Sequence, residues 1–202
     1  MKKKKLKAVT AAKSKKAPKK AVKKLTAKSL KMKSVKKKMT QKKVVKKKKV
    51  LAIPKGYNSV TPYLIVDKAA DAIDFYKKAF GAKVTTRMDQ PGGKVAHAEL
   101  KMGDSIIMLS DACPEMNTGS PKTHGGSSVS IHLYVKKVDD TVKAAVKAGA
   151  QVVRPVTDMF YGDRSGLLED PFGHIWCVST HIEDVTPAKL KKRAAEFYKD
   201  KA

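Results

Sequence analysis

The chain has 202 residues, 45 basic and 18 acidic side chains, a formal net charge of +27 and 42% hydrophobic residues. Residues 1–50 hold 24 lysines and no arginine, acid or aromatic residue, so the other 152 carry 21 basic and 18 acidic side chains, a net of +3. No apolar stretch approaches the length of a membrane span, and two cysteines, Cys113 and Cys177, are too few and too far apart in sequence to imply a disulfide framework.

The opening "MKKKKLKAVTAAKSKKAPKKAVKK" cannot bury enough apolar surface to offset its chain entropy, and its charges repel one another. Residues 1–50 are therefore expected to form a disordered Lys-rich tail. It has neither a secretory h-region nor an Arg/Ser-rich transit pattern, and the expected compartment is a reducing cytoplasm. A tail of this kind suits nonspecific binding to nucleic acid or another polyanion through backbone phosphates. Without arginine or aromatics it lacks the means to read guanine edges or to stack on bases. The alternative is a solvated tail with no partner. "LAIPKGY" (51–57) reads as a linker, because Pro54 and Gly56 mark the change in composition.

Beyond the linker, "SVTPYLIV" (59–66) predicts a strand, followed by a helix with Ala69, Ala72, Ile73, Tyr76 and Phe80 on one face. Asp67 suits its N-cap and Gly81 its C-terminal stop. Strands are expected at "KVTTRMD" (83–89), "KVAHAELKM" (94–102) and "SIIMLSD" (105–111), with "QPGG" and "GD" as turns. The order then repeats. "SSVSIHLYVK" (127–136) is a strand, and "VDDTVKAAVKAGA" is a helix presenting Val138, Val142, Ala145 and Val146. Strands follow at "QVVRPVTD", "RSGLLED" and "HIWCVST". Leu64-Ile65-Val66 aligns with Leu133-Tyr134-Val135, and both helices end in Gly-Ala. A last helix over 186–200, with Thr186 as cap and Pro187 first, would bury Leu190, Ala194 and Phe197. The fold class is therefore α+β: two tandem βαβββ repeats over 58–181, a basic tail and a C-terminal helix.

Strand alternation separates two faces. Val129, Ile131, Leu133 and Val135 oppose Ser128, Ser130, His132 and Tyr134. Pro62, Leu64 and Val66 oppose Thr61, Tyr63 and Ile65, while Ala96, Ala98, Leu100 and Met102 oppose Val95, His97, Glu99 and Lys101. One face packs a core and the other is polar and aromatic, as a binding cleft or an open surface would be.

"PYLIVDKAADAIDFYKKAFGA" and "YGDRSGLLEDPFGHIW" together resemble the vicinal oxygen chelate superfamily of glyoxalases, bleomycin-resistance proteins and extradiol dioxygenases. Within it the chain is most similar to the branch labelled 3-demethylubiquinone methyltransferase-like. The resemblance covers residues 57–181 and implies a curved mixed sheet enclosing a concave cup, with a homodimer completing the site. Metal-dependent members take four ligands, usually His and Glu, from the first and last strands of each repeat. Those positions fall here on Thr61, Ser130, Met108 (or Ile107) and Cys177. Hydroxyls, a thioether and a lone thiol are poor ligands for Zn²⁺ or Ni²⁺, so no metal or other cofactor is expected, and a divalent ion would need a displaced site.

Asp170-Pro171-Phe172-Gly173 reads as a turn, His174 as its neighbour off the cup face, and Cys177 as a small buried hydrophobe. His97, Glu99, His132 and Glu169 are candidates for acid–base chemistry, with Glu169 taken as the second-repeat counterpart of Glu99. Thr61, Tyr63, Ser130, His132, Tyr134, Arg164 and Cys177 are candidate ligand contacts. Phe160 or Tyr161 could add an aromatic wall, and Arg164 could grip a ligand carboxylate or phosphate, or pair with Asp163 or Glu169. Three functions remain open: a metal-independent small-molecule binder, a metal-dependent glyoxalase-like lyase or related enzyme, and a nucleoid-associated protein acting through its tail.

Overall fold

The computed structural model of the protein describes residues 50–199, so the tail expected at 1–50 lies outside the described residues except for Val50. Two four-stranded mixed sheets make up the domain. The first contains β1 (Tyr63–Val66), β2 (Lys83–Asp89), β3 (Val95–Met102) and β4 (Ser105–Asp111) in the order β1-β4-β3-β2, with α1 (Ala69–Phe80) following β1. The second contains β5 (Ser130–Tyr134), β6 (Gln151–Asp158), β7 (Asp163–Glu169) and β8 (Ile175–His181) in the order β5-β8-β7-β6, with α2 (Val138–Lys147) following β5. In each, the first strand runs parallel to the last and the other pairings are antiparallel. The tandem βαβββ order is thus present, and a C-terminal helix, α3 (Pro187–Lys199), follows it.

The repeats match in register as well as order. Tyr63 lies opposite Met108, and His132 lies opposite Cys177, each of the second pair 69 residues beyond its counterpart. The helix starts match too. The Ala69 N–H donates to Asp111 Oδ1 at 2.9 Å, and the Val138 N–H donates to Thr180 Oγ1 at 2.9 Å. Each helix N-terminus is therefore capped from the last strand of its own repeat. Asp67 is not the cap expected of it. Lys68 adopts a left-handed conformation (φ 60°) between Asp67 and the helix, and Asp67 instead accepts a bond from Ser120 Oγ at 2.6 Å. Gly81 does end α1, at φ 66°, with its N–H bonded to the Tyr76 carbonyl.

The core lies on the helix-facing sides of both sheets. Leu64, Val66, Ala98, Leu100 and Leu109 from the first meet Leu168, Trp176 and Val178 from the second, with Ala72, Ile73 and Tyr76 of α1 buried among them. The Phe80 and Trp176 ring centroids are 4.6 Å apart, so α1 of the first repeat packs on β8 of the second. The expected alternation fails at the start of β3. Val95 is buried and Ala96 exposed, because the register against β2 slips between Met88–His97 and Asp89–Val95 and leaves Ala96 as the extra residue. Leu190, Ala194 and Phe197 of α3 are half-buried, not buried; the helix rests on Phe160, whose ring centroid is 4.9 Å from that of Phe197.

Asp170 binds the halves together. Its carboxylate, 4% exposed, accepts four bonds: from Tyr76 Oη (2.8 Å), Trp176 Nε1 (2.9 Å) and the N–H groups of Phe172 and His174 (2.9 Å each). The Asp-Pro-Phe-Gly turn is architecture, as its residue types imply.

Candidate ligand-binding site

The sheet faces turned away from the helices carry the polar side chains. On the first sheet Tyr63, His97 and Glu99 form a chain. Tyr63 Oη lies 3.1 Å from His97 Nδ1, and His97 Nε2 lies 3.3 Å from Glu99 Oε1. The second carboxylate oxygen accepts from Thr86 Oγ1 at 2.9 Å, and the Tyr57 hydroxyl also bonds to Glu99. Tyr57 foremost, then Thr86 and His97, hold the Glu99 carboxyl below the ordinary glutamate range despite its partial burial. An ionised carboxylate can only accept, so Nε2 carries the imidazole proton and Nδ1 accepts from the Tyr63 hydroxyl. The chain thus runs from an exposed phenol through an oriented imidazole to a fixed carboxylate.

On the second sheet a different set gathers. Tyr134 Oη donates to Asp163 Oδ2 at 2.8 Å, and His181 Nδ1 lies 2.7 Å from Asp163 Oδ1. His181 Nε2 lies 3.0 Å from Asp184 Oδ1, and the two carboxylates, Asp163 first, raise the imidazole pKa. Asp163 in turn raises the Tyr134 phenol, since it receives its proton. Beside them Ser179 Oγ donates to Ser165 Oγ at 3.0 Å, and Ser165 Oγ lies 3.2 Å from Cys177 Sγ. The His132 and Tyr134 rings are 4.7 Å apart.

A cavity of about 490 Å³ lies between β1 and β5, lined by Tyr63, Ser130, His132 and His174 with apolar Pro62 and Ile131. Three of the residues singled out from the sequence, one from the first repeat and two from the second, converge there. His174 is buried, and its Nε2 lies 3.2 Å from the Ile65 carbonyl on the outer edge of β1. The turn-flanking histidine therefore reaches across to the first repeat and forms part of the cavity wall.

Other expected residues fall elsewhere. Thr61 precedes β1 and donates to the Asn58 carbonyl at 3.2 Å. Glu169 is not the counterpart of Glu99. Glu99 pairs with Met108, whereas the equivalent partner of Cys177 is Leu167, and Glu169 sits opposite Ile175, as Lys101 sits opposite Ile106. Arg164 is on the helix side of β7, held by Asp139 of α2 at 2.7 Å and Asp158 at 2.8 Å, and so is not turned toward the cup. Its pairing with Asp163 or Glu169 does not occur. Phe160 is taken up by α3. Tyr57, Thr86, Asp163, Ser165 and His181 join the candidate site without a motif to mark them; strand alternation in β7 and β8 is the one sequence signal that could place Asp163, Ser165 and His181 on the open face.

The positions where relatives hold a divalent ion fit it poorly. Met108 offers a thioether, Cys177 a thiol already engaged by Ser165, and Thr61 and Ser130 neutral hydroxyls. Among the described residues no group of three or more His, Cys, Asp or Glu side chains is gathered as metal ligands would be. No helix among them is long and apolar enough to cross a membrane.

Residues 56–178 match the Glyoxalase/Bleomycin resistance protein/Dioxygenase superfamily. An uncharacterized protein of Mycobacterium bovis is 43% identical over 136 residues, covering 66% of this chain and 90% of the relative. The X-ray structure of an Arabidopsis thaliana gene product is 31% identical with a TM-score of 0.51, covering 60% of this chain and 98% of that one. A Pseudomonas aeruginosa protein shares the fold at 24% identity and a TM-score of 0.51, over 61% of this chain and 98% of its own.

Proposed function

We propose, because this chain belongs to the Glyoxalase/Bleomycin resistance protein/Dioxygenase superfamily, that its folded part binds a small organic molecule without a metal at the superfamily's ligand positions. The observation that carries this reading is the cavity of about 490 Å³, in which Tyr63, Ser130 and His132 of both repeats meet an apolar floor. A second copy closing over the open faces belongs to the same reading, since Tyr63, Met88, Tyr134 and Val153 are exposed. The test is a thermal-shift screen of 2-oxoaldehydes, thiol adducts and glycopeptide antibiotics, run with elemental analysis of protein purified without chelators. A ligand at about 100 times its Kd raises stability by about 2.7 kcal/mol, and Tyr63→Ala with His132→Ala should abolish the shift. One tightly held divalent ion per chain would refute the metal-free part.

A second reading, acid–base catalysis, draws support from the Tyr63–His97–Glu99 chain, which has the connectivity of a proton relay. Turnover of a screened compound that His97→Gln abolishes while its binding persists would favour it. For residues 1–50 the reading is nonspecific polyanion binding, on the strength of 24 lysines without one acid. If about ten lysines engage duplex DNA, log K should fall against log salt with a slope near −9; a slope near zero dismisses it.

A further inference from the structure

The chain has four arginines, and three of them meet carboxylates: Arg87 with Asp89, Arg164 with Asp139 and Asp158, Arg193 with Glu183. Arg154 is the exception among the described residues. Its guanidinium is partly buried on the open face of the second sheet, and its three hydrogen bonds go to neutral acceptors. NH2 donates to Ser165 Oγ at 3.3 Å, and NH1 to Thr157 Oγ1 at 3.5 Å and to the Met159 thioether at 2.8 Å. A thioether is a weak acceptor, the Thr157 contact is long, and none of the three carries a negative charge.

The chain directs Arg154 there by a specific device. Pro155 has no N–H to give β7, and the ladder slips between Arg154–Leu167 and Thr157–Ser165. That slip turns both Arg154 and Thr157 to the side occupied by Ser165, Cys177 and Ser179. Ser165 and Ser179 are fully buried and joined to one another, so Ser165 is a rigid neighbour of the guanidinium. Asp163, two residues from Ser165 on the same face, already has its oxygens engaged by Tyr134 and His181. A fixed, permanently charged fork with only neutral partners is suited to a planar or tetrahedral oxyanion from outside.

We infer that Arg154, flanked by Thr157 and Ser165, is a subsite on the open face of the second sheet that receives an oxyanion, a carboxylate or a phosphate-type group. This subsite lies on β6, at the opposite edge of the second sheet from β5 and the cavity, and stands independently of the cavity reading. The guanidinium itself would repel a cationic head.

The experiment is an NMR titration of the full chain with benzoate, inorganic phosphate and neutral benzamide, following the Arg154 Nε–H and the amides of Ser165, Cys177 and Ser179. The lysines of the first 50 residues also attract anions, so the comparison is between variants that share them. Benzoate or phosphate should give saturable shifts at the Arg154 group. Arg154→Gln should weaken that binding by about tenfold or more, Arg154→Lys by less, and Arg87→Gln, which loses the same charge elsewhere, not at all. Should Arg154→Gln fail to fold, Arg154→Lys with phosphate against benzoate carries the test: losing the planar fork should weaken the carboxylate more than the phosphate. Anion shifts confined to lysines, or equal in the parent and the Arg154 variants, overturn the inference. If benzamide saturates shifts at Tyr63, Ser130 and His132 while Arg154 stays silent to every anion, the cavity reading survives and this subsite falls.

Discussion

Tyr76, on the helix of the first repeat, gives its only hydroxyl proton to Asp170, in a turn of the second, over 2.8 Å. Burial and that carboxylate keep the phenol well above its ordinary pKa, so it remains a donor throughout the accessible pH range. Three further donors converge on the same carboxylate, which makes Asp170 the acceptor on which the junction depends.

Asp170→Ala should therefore destabilise the domain by about 3–5 kcal/mol, because four buried donors lose their partner together. Tyr76→Phe removes one of those bonds and should cost about 1 kcal/mol. Urea unfolding followed by fluorescence of Trp176, the single tryptophan, reads both values at the junction itself, since its indole N–H is one of the four donors.

Asp111 and Thr180 occupy equivalent places but differ in load. Asp111 caps α1 and also accepts from the Val95 N–H at 2.6 Å, whereas Thr180 caps α2 and donates to the Val135 carbonyl. Asp111→Ala should cost about 2 kcal/mol and Thr180→Val about 1 kcal/mol. Amide exchange at Ala69 and Val138 checks which helix end has frayed. Equal loss at both ends in either variant would contradict separate capping.

At the acid end, Glu99 is stabilised as a carboxylate, chiefly by Tyr57. Its contribution to stability is complete above the unfolded-chain value near 4.5 and is lost as pH falls through the lower folded value. Tyr57→Phe should raise the Glu99 midpoint toward that of a free glutamate, as measured by carboxyl-carbon NMR titration. An unchanged midpoint would show that Thr86 and His97 suffice.

Nearer neutrality His181 behaves with the opposite sign. Asp163 and Asp184 raise its pKa above the unfolded value of 6.5, so its ion pairs stabilise the fold fully below that pH. The contribution disappears as pH rises through the raised folded value. Thermal melts across that interval should show a decline that His181→Asn flattens, and amide exchange at Ile182 should accelerate over the same range.

Much of this architecture can be read in the chain because it rests on short-range rules. The alternation in "SVSIHLYV" separates Ile131 and Leu133 from His132 and Tyr134, and the helical spacing of Ala69, Ala72, Ile73 and Tyr76 marks the buried stripe of α1. The errors arise where one long-range contact decides. Asp67 has the right chemistry to cap α1, but Asp111, 42 residues beyond Ala69, holds that position. Ala96 breaks the alternation through a bulge that depends on its partner strand. Arg164 sits in a motif rich in glycine and acid, yet Asp139 reaches it from α2, and nothing local to Arg154, followed by a proline, marks its place on the open face. Tyr57 reads as linker because nothing local ties it to Glu99.

The bond from Tyr76 to Asp170 bears on how the duplication came to be one object. A chain severed in the 117–129 connection would yield two complete βαβββ pieces, each with its own internally capped helix. The first would hold a buried phenol lacking a receiver, and the second a sunken carboxylate short of a donor. Each piece alone would thus retain its pattern and lose its cohesion, and mixing the two should restore a single cooperative melt.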